Sequence, residues 1–399
     1  MSRAPGLDLL RAFAIVWVMF YHALVLDLVP ETNPVAAFGW MGVDLFFALS
    51  GFLIGGQLFR PYVRDEPEHF GPFYLRRLFR TLPPYLVVVA LYFTVPIFRE
   101  RRTIEPLWQF LTFTENLFID FSHPRAFSHV WSLCVEEQFY LVAPIVVFGL
   151  MRRPALWLAA LFCGGLLIGG MVLRGYIWLH DLGPIQHVTS GPGNFFQRWN
   201  ELIYYPTWTR LDGLLDGMVF AAIRSFRPAL WSGLMRRANL VLVVGVAAVA
   251  VAIGLFVNQQ AFTPTVFGYP ILSFGMACLV AAGASPHSLL GRWRVPGAGA
   301  IAAMAYSLYL THKQVYHMVH LLVGQRLDDK PVLASLIYSG AALAAGALLY
   351  VTFERPALRL RDRLLGAGGA ATTPAATALE PAGELGMADA GETAARAPP

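Results

Sequence analysis

Residues 38–58 read FGWMGVDLFFALSGFLIGGQL, a run of 21 residues in which Asp44 is the one ionisable side chain. An α-helix needs about 20 such residues to cross the hydrocarbon core of a bilayer. The run is therefore predicted to be a transmembrane helix. Gly42 and Gly51 favour close approach of a neighbouring helix, and Asp44 and Ser50 add polar groups to that contact.

The composition of the whole chain agrees with this stretch. Of its 399 residues, 56% are hydrophobic and only 14% are charged, and the mean hydropathy is +0.54. An ordinary soluble domain carries about 25% charged residues. These values exclude a water-soluble enzyme, a disordered protein and a fibrous repeat, and they predict an all-α polytopic membrane protein.

Apolar stretches of similar length recur along the chain, and their lengths predict a bundle of about ten transmembrane helices. The third and sixth stretches are the shortest. The predicted spans are residues 7–28, 38–58, 83–98, 128–150, 155–178, 208–224, 239–257, 266–283, 299–323 and 332–353. The first span holds Asp8, Arg11 and His22 and is longer than a signal core, so we expect it to persist in the mature protein.

Arginine and lysine residues between the spans predict the orientation. With a cytoplasmic N-terminus, 19 of them fall on the cytoplasmic side and 7 on the outer side. Positive charge concentrates on the cytoplasmic side of membrane proteins. Both termini are therefore predicted to be cytoplasmic, although Arg99, Arg101 and Arg102 fall outside in this arrangement.

The segments outside the spans divide simply. Residues 104–119 are fairly apolar but carry four polar side chains, which favours an interfacial or outward-facing helix. Residues 1–356 form one predicted transmembrane domain. Residues 357–399 form a predicted cytoplasmic tail, which from about residue 366 consists mainly of Ala, Gly, Pro and Thr and is predicted to be disordered.

Arg11 and His22 are the most informative polar pair, because charge inside a bilayer is costly and marks candidate functional residues. They are eleven residues apart, so they share one helix face about 16 Å apart along the axis. This arrangement suits a ligand with an anionic head near Arg11 and a reactive end near His22. In the structural alternative, Arg11 lies beside Asp8 at the membrane surface and His22 makes an interhelical hydrogen bond.

An arginine cluster follows the second span. Residues 76–85 read RRLFRTLPPY, and the two prolines are predicted to start the third helix. If this stretch is helical, Arg77 and Arg80 face the same ligand and can clamp phosphate groups. The alternative is an ordinary cytoplasmic positive charge cluster.

The fourth predicted span opens with HVWSLCVEEQFY at residues 129–140. His129, Ser132, Glu136 and Tyr140 fall on one helical stripe, which suits acid–base work or binding of a hydroxylated substrate. Glu136 and Glu137 point about 100° apart, so only one is expected to face a given cavity. The alternative is an outer-interface cluster anchored by Trp131.

Later spans add further polar residues. Arg210 and Asp212 are not spaced to pair with each other, so we expect interhelical partners for both. His312 and Lys313 make the ninth span unusually polar, and structural pairing is the simpler interpretation. Cys134, Cys163 and Cys278 form no CxxC or Cys/His cluster, so no disulfide framework and no metal site is predicted.

Taken together, these motifs resemble the integral-membrane acyltransferase type 3 family, whose members O-acylate surface sugars and related acceptors. The resemblance covers residues 7–356 and follows the family order. It comprises R-x10-H from Arg11, GV-x-x-FF-x-LSGFLI from Gly42, RR-x-x-R-x-x-P-x-Y from Arg76, H-x-WSL-x-x-E-x-QFY from His129, R-x-D from Arg210, S-x-YL-x-H from Ser307 and E-x-P from Glu354.

The resemblance implies roles for several residues. By family analogy, His22 is catalytic together with Glu136, and the donor acyl-CoA binds Arg11, Arg76, Arg77 and Arg80. The remaining motif residues form an acceptor or structural site: Asp44, His129, Trp131, Ser132, Arg210, Asp212 and His312. The chain has no Gly-Asp-Ser motif, so it resembles the stand-alone form without an extracytoplasmic hydrolase-like domain.

The hypothesis that follows is a membrane O-acyltransferase of the bacterial cytoplasmic membrane. It takes an acyl group, most simply acetyl, from cytoplasmic acyl-CoA to a carbohydrate or glycolipid hydroxyl on the outer side. No bound cofactor and no nucleic-acid partner is expected. Trp199, Tyr204, Tyr205 and Trp208 in and beside the loop 179–207 suit stacking on sugar rings. The alternative is a transporter or flippase for an anionic lipid or sugar.

Overall fold

The structure is a computed structural model, and it describes residues 4–30, 32–66, 70–152, 156–327 and 330–366. Within these residues, its regular secondary structure consists of helices, and one isolated β-bridge joins Thr103 to Arg125. The long helices are α1 (Pro5–Val25), α2 (Met41–Arg64), α3 (Phe70–Thr94), α4 (Trp131–Met151), α5 (Leu156–Ile177), α6 (Asp212–Phe226), α7 (Ala238–Leu255), α8 (Tyr269–Gly283), α9 (Ala305–Val323), α10 (Pro331–Leu349) and α11 (Arg355–Gly366).

Shorter helices lie between the long ones. They are Pro34–Ala37, Leu107–Leu111, Phe195–Trp199, Pro228–Arg236, Leu289–Arg292 and Ala298–Ala303. π-Helical turns extend three long helices: Trp178–Leu182 after α5, Pro264–Gly268 before α8 and Tyr350–Glu354 between α10 and α11. The all-α membrane fold predicted from the sequence is confirmed.

Each of the ten predicted spans overlaps a helix, but not every helix is suited to cross a bilayer alone. Among the described residues, seven helices are long and apolar enough to do so. The other three are α3, which carries three arginines, α6, which has only 15 residues, and α9, which carries His312, Lys313 and Gln314. The count of ten spans therefore stays a prediction.

The sequence prediction was wrong about where helix α3 begins. It begins at Phe70, so Arg76, Arg77 and Arg80 lie inside the helix and not in a preceding loop. Pro83 and Pro84 lie in its interior instead of opening it. Prolines are tolerated inside membrane helices because neighbouring groups satisfy the freed backbone atoms.

The segment 104–119 is not one interfacial helix, as the sequence had predicted. It forms the short helix Leu107–Leu111 and a 3-10 turn at Glu115–Leu117, with its polar side chains directed inwards. Glu115 is fully buried and pairs with Arg125 at 2.7 Å, while Asn116 accepts a hydrogen bond from Gln138 at 2.9 Å. These partners explain why the polar side chains leave the surface.

Helix α2, which contains residues 41–58 of the stretch 38–58, lies at the centre of the bundle. In its most apolar stretch, 78% of the residues are buried. The corresponding share is 11% in the Trp157–Ile185 helix and 17% in the Ala238–Asn258 helix. Helix α2 contacts α1, α4, α6 and α8. The remaining helices surround this central one and present apolar faces outwards, as a membrane protein requires.

The closest approach in this centre is the crossing of α2 and α6. A Cβ atom built on Gly217 would clash with the Ala48 carbonyl oxygen, and one on Gly51 would clash with the Leu214 carbonyl oxygen. Both obstacles are backbone atoms, so they cannot rotate away. The glycines therefore set the distance between the two helices.

The predicted tail begins as helix, because α11 continues to Gly366 and packs against α3. Its residues 357–366 are thus helical and not part of an unstructured segment. The rest of the predicted tail, residues 367–399, lies outside the described residues.

We expect Gly217→Ala to destabilise the protein by about 1–3 kcal/mol, since the added methyl group must push α6 away from α2. The measurement is the melting temperature of purified protein in detergent. Gly340→Ala is the matched control, because it also lies inside a helix but has open space around it. The control should be neutral or slightly stabilising. Equal melting temperatures for the two variants would contradict the close crossing.

Candidate active site

A large cavity lies alongside helix α2. Its volume is about 1520 Å³, and it is lined along α2 from Val43 to Arg64. These 21 residue steps correspond to about 30 Å of helix. Pockets for small molecules commonly measure about 300–1,000 Å³, so this cavity can hold an extended ligand.

The cavity wall is strongly basic. It carries four acidic side chains, at Glu66, Glu136, Glu137 and Asp362, against nine arginines. The arginines are Arg11, Arg60, Arg64, Arg76, Arg77, Arg80, Arg224, Arg236 and Arg361. Such an excess of guanidinium groups favours a ligand with several negative charges, and phosphate groups match their planar donors.

The predicted donor residues meet in this wall. Arg11 lies 3.8 Å from the Asp8 carboxylate, and Arg80 lies 3.6 Å from Glu354. Arg77 donates to the Gln57 side chain at 3.5 Å, and its guanidinium lies over the Tyr140 ring. The Nε of Arg77 is buried, and no described residue offers it a hydrogen-bond partner. Because α3 is helical here, Arg77 and Arg80 do face one side, as expected.

Glu136 is held in the wall by two hydroxyl groups. Ser50 donates to one carboxylate oxygen at 2.8 Å, and Tyr140 donates to the other at 3.1 Å. Contrary to the sequence expectation, Glu137 also lines the cavity. The cavity is wide enough to touch α4 over an arc that includes both side chains.

Three histidines gather at the other end of α1. Nε2 of His312 and Nδ1 of His22 are 2.8 Å apart, and the His129 ring lies 5.7 Å from His22 and 5.2 Å from His312. Within the described residues, no group of histidine, cysteine and acidic side chains is arranged to hold a metal ion. The sequence placed His312 in a structural role and gave no sign that it would contact His22.

The hydrogen bonds fix the tautomers of this pair. Nδ1 of His312 lies 2.9 Å from the Leu308 carbonyl oxygen, which can only accept, so Nδ1 carries the proton. In a neutral His312 ring, Nε2 is then an acceptor, and Nδ1 of His22 donates to it. Neutral His22 therefore keeps its lone pair on Nε2, where it can act as a base.

His129 is not part of the Glu136 stripe. Helix α4 begins at Trp131, and His129 precedes it in a 3-10 turn that directs the ring towards the other histidines. It is 2% exposed, and neither ring nitrogen has a hydrogen-bond partner among the described residues. Buried polar atoms without a partner are rare and mark a place for a water or a ligand group.

A pair of hydroxyl groups separates the cavity from the histidines. Ser132 and Tyr309 both line the cavity, and their oxygens are 2.6 Å apart. The Tyr309 hydroxyl also lies 2.6 Å from the His129 carbonyl oxygen. The inner end of the arginine-lined cavity thus lies one layer of side chains from the His22–His312 pair. The sequence analysis assigned no role to Tyr309, although this residue belongs to the S-x-YL-x-H motif.

Asp44, Arg210 and Asp212 serve as structural partners. Arg210 donates to Asp44 at 2.9 Å, and Arg174 makes two hydrogen bonds to Asp212, at 2.8 and 3.1 Å. This confirms the expected interhelical pairing. Arg210 is also enclosed by aromatic rings, namely those of Trp131, Tyr204 and Tyr269. Arg174, within an apolar stretch of α5, was missed from the sequence.

The aromatic side chains predicted to stack on sugar do not form one platform. Trp199 and Tyr204 are buried, with 1% and 7% exposure. Trp199 donates to Thr265, and Tyr204 packs on Arg210. Trp208, in contrast, is 51% exposed. Two of the four rings are used in the core and are not available for stacking.

Comparison with known proteins identifies the family. The sequence model described as "Acyltransferase domain" matches residues 5–351, which is nearly the whole described chain. The chain belongs to this acyltransferase family. The resemblance seen in the motifs is thereby confirmed. No solved structure matches the chain.

Two relatives carry more specific names. The chain is 30% identical over 337 residues to the O-acetyltransferase OatA of Staphylococcus aureus. The matched region covers 79% of this chain and 51% of the relative. This chain is 28% identical over 238 residues to the peptidoglycan O-acetyltransferase OatA of Listeria monocytogenes. That matched region covers 56% of this chain and 34% of the relative. The chain thus spans about half the length, or less, of these relatives.

Family and fold together define the class of protein. The seven apolar helices and the bacterial relatives show a multi-pass bacterial membrane protein. Its family membership makes it an acyltransferase. The arginine cavity and the three histidines are therefore the candidate active site of a membrane acyltransferase.

We expect Arg210→Ala to destabilise this acyltransferase by about 3–5 kcal/mol, because it leaves the Asp44 carboxylate buried without its partner. Thermal unfolding in detergent measures the loss. Arg198→Ala breaks the exposed Arg198–Glu201 pair and is the control, with an expected effect below about 1 kcal/mol. If both variants unfold like the wild type, Arg210 does not anchor the bundle.

Proposed function

We propose that this protein transfers an acyl group, most simply acetyl, from acyl-CoA to a carbohydrate hydroxyl on the other side of the membrane. One observation carries the proposal. A basic cavity about 30 Å long runs along α2, and the layer formed by Ser132 and Tyr309 separates its inner end from a hydrogen-bonded pair of histidines. This arrangement suits a donor with phosphates at one end and a reactive thioester at the other.

The donor is assigned to the arginine end. The pyrophosphate of CoA is placed against Arg11, Arg77 and Arg80, which come from α1 and α3 and line one wall. The unpaired Nε of Arg77 is a donor that a phosphate oxygen can satisfy. The pantetheine arm then follows α2 inwards and passes Ser132 and Tyr309 to bring the thioester to the histidines. Positive charge at this end favours the cytoplasmic side.

His22 is the proposed catalytic base. Its Nε2 lone pair removes the proton from the acceptor hydroxyl, and the oxygen attacks the thioester carbon. The carbon–sulfur bond breaks, and the CoA sulfur leaves with the proton that His22 collected. An ester and free CoA result. A covalent acyl-histidine formed first on Nε2 would use the same geometry.

Two neighbouring residues have separate proposed roles. His312 acts as a positioning residue, since it holds the His22 ring in the tautomer that leaves Nε2 basic. His129 offers ring nitrogens that lack a partner in the described part of the structure, and these can hold the acceptor hydroxyl. The names of the relatives favour a cell-wall carbohydrate as acceptor.

Glu136 belongs to the donor side of the site. Its carboxylate is fixed by Ser50 and Tyr140, and the Tyr140 ring in turn carries the Arg77 guanidinium. We propose that Glu136 orders the wall along which the pantetheine arm runs. Its contribution to turnover is thus indirect and separate from the proton transfer at His22.

The first test measures acyl transfer by the purified protein in lipid nanodiscs. Labelled acetyl-CoA is supplied with cell-wall glycan fragments, and free CoA thiol and labelled glycan are counted. His22→Ala should lower turnover by about 10²–10⁴-fold, as the loss of a general base does, and should leave CoA affinity nearly intact. His317→Ala on α9 is the control, with turnover close to that of the wild type.

Two results would contradict the proposal. Normal turnover in His22→Ala would remove this residue from the mechanism. Movement of a labelled lipid or sugar across the membrane without release of CoA thiol would favour the transporter alternative.

The two adjacent glutamates provide another test. Glu136→Gln should reduce turnover strongly. The amide nitrogen of glutamine cannot accept a hydrogen bond, so Ser50 and Tyr140 can no longer each donate to a separate oxygen. Glu137→Gln should have a mild effect, although both side chains line the cavity. Turnover and CoA affinity at matched expression measure the difference. The opposite order would place the ordering role on Glu137.

A further inference from the structure

A second group of arginines lines the cavity apart from Arg11, Arg77 and Arg80. It consists of Arg60 on α2, Arg76 on α3 and Arg361 on α11. All three side chains line this one cavity, and burial together with the positive charges of Arg361 and Arg60 lowers the pKa of the Arg76 guanidinium. We call these three side chains the outer arginines.

The outer arginines are poorly neutralised. Arg361 pairs with its neighbour Asp362 at 2.7 Å. In the described part of the chain, no carboxylate lies within 4 Å of Arg60 or Arg76. Three like charges from three helices repel one another unless an anion lies among them. The site therefore favours a ligand with more than one negative charge.

The outer arginines occupy a different part of the cavity from Arg11, Arg77 and Arg80. Arg76 adjoins Arg77 in sequence but points about 100° away around α3. On α2, Arg60 follows Gln57, the hydrogen-bond partner of Arg77, by three residues. It therefore lies about 4.5 Å further along that helix, away from the histidine end. The cavity thus offers two anion sites in succession along its length.

The donor in the proposed reaction carries its three phosphates as two separate groups, a pyrophosphate and a monoester, in the same order. The pyrophosphate of CoA adjoins the pantetheine arm, and a phosphate monoester on the ribose lies beyond it. A monoester carries about 1.5–2 negative charges at neutral pH, more than the single charge of a phosphodiester. Three arginines with planar donor forks match the charge and the oxygen atoms of that group.

We propose that Arg60, Arg76 and Arg361 bind the 3′-phosphate of CoA and make the site selective for CoA over dephospho-CoA. The inference rests on the proposed use of acyl-CoA as donor. It gives α11 a function in donor recognition, because this helix packs against α3 and places Arg361 in the cavity wall.

A lipid headgroup is the other source of phosphate near a membrane surface. Most anionic headgroups are phosphodiesters and carry one charge each. The test therefore uses two bilayers, one of phosphatidylcholine alone and one that also contains phosphatidylglycerol.

The experiment measures the affinity of the purified full chain in nanodiscs for CoA and for dephospho-CoA at one ionic strength. The wild type should bind CoA at least tenfold more tightly. Arg361→Ala should reduce CoA affinity to the level of dephospho-CoA and leave dephospho-CoA affinity unchanged. Arg76→Ala should do the same, and Arg361→Lys should retain part of the preference.

Arg363→Ala is the matched control. It removes an equal charge from the same helix, but Arg363 is exposed and does not line the cavity. The preference for CoA should survive this change. The preference should also be the same in both bilayers, since a phosphodiester lipid does not replace the monoester.

Three outcomes would overturn the inference while leaving the use of CoA intact. They are equal binding of both ligands by the wild type, equal weakening of both ligands by Arg361→Ala, and loss of the preference in phosphatidylglycerol bilayers. The last would assign the outer arginines to a lipid headgroup. Failure of the wild type to bind either ligand would refute the acyl-CoA proposal itself, and this inference with it.

Discussion

Charge buried in an apolar bundle must be neutralised, and this constraint organises the whole structure. Arg210 pairs with Asp44 across α2 and the start of α6, and Arg174 on α5 pairs with Asp212. A further pair joins Lys313 to Glu100, again between distant parts of the chain, and Arg125 pairs with Glu115 ten positions away. Since an unpaired charge would cost several kcal/mol, each pair fixes the relative position of two elements. The bundle is thus held in one arrangement by more than its apolar surface.

The arginines of the cavity break this rule, and the exception defines the site. Nine arginines line the cavity against four carboxylates, which leaves an excess of positive charge in its wall. A protein gains nothing in stability from such an excess, since the charges repel one another. Natural proteins accept local instability of this type where a ligand is bound. The paired buried charges therefore belong to the framework of the bundle, whereas the excess of arginines marks the cavity as the functional site.

Sequence reasoning found most of the helices, because hydrophobic length is a local property. It also singled out Arg11, Arg77, Arg80 and Glu136, all of which line the cavity, since charge in or beside an apolar stretch is visible without coordinates. It failed where distant segments decide the outcome. Trp199 and Tyr204 were expected to contact sugar, but the fold uses them to enclose Thr265 and Arg210. A sequence shows that a side chain is aromatic but does not show which cation it will cover.

The histidines illustrate the same limit at the centre of the site. His22 and His312 are 290 positions apart, and no spacing rule connects them. Their contact depends on the packing of α1 against α9, and the tautomer of His22 depends on a carbonyl group of α9. The basicity of one nitrogen on the first helix is thus set by the backbone of the ninth. Any change that shifts α9 along its axis, even far from His312, would alter this hydrogen bond before it altered the fold. The chemistry of the site is therefore more sensitive to helix packing than the stability of the bundle is, because a hydrogen bond weakens over a few tenths of an ångström that an apolar contact tolerates.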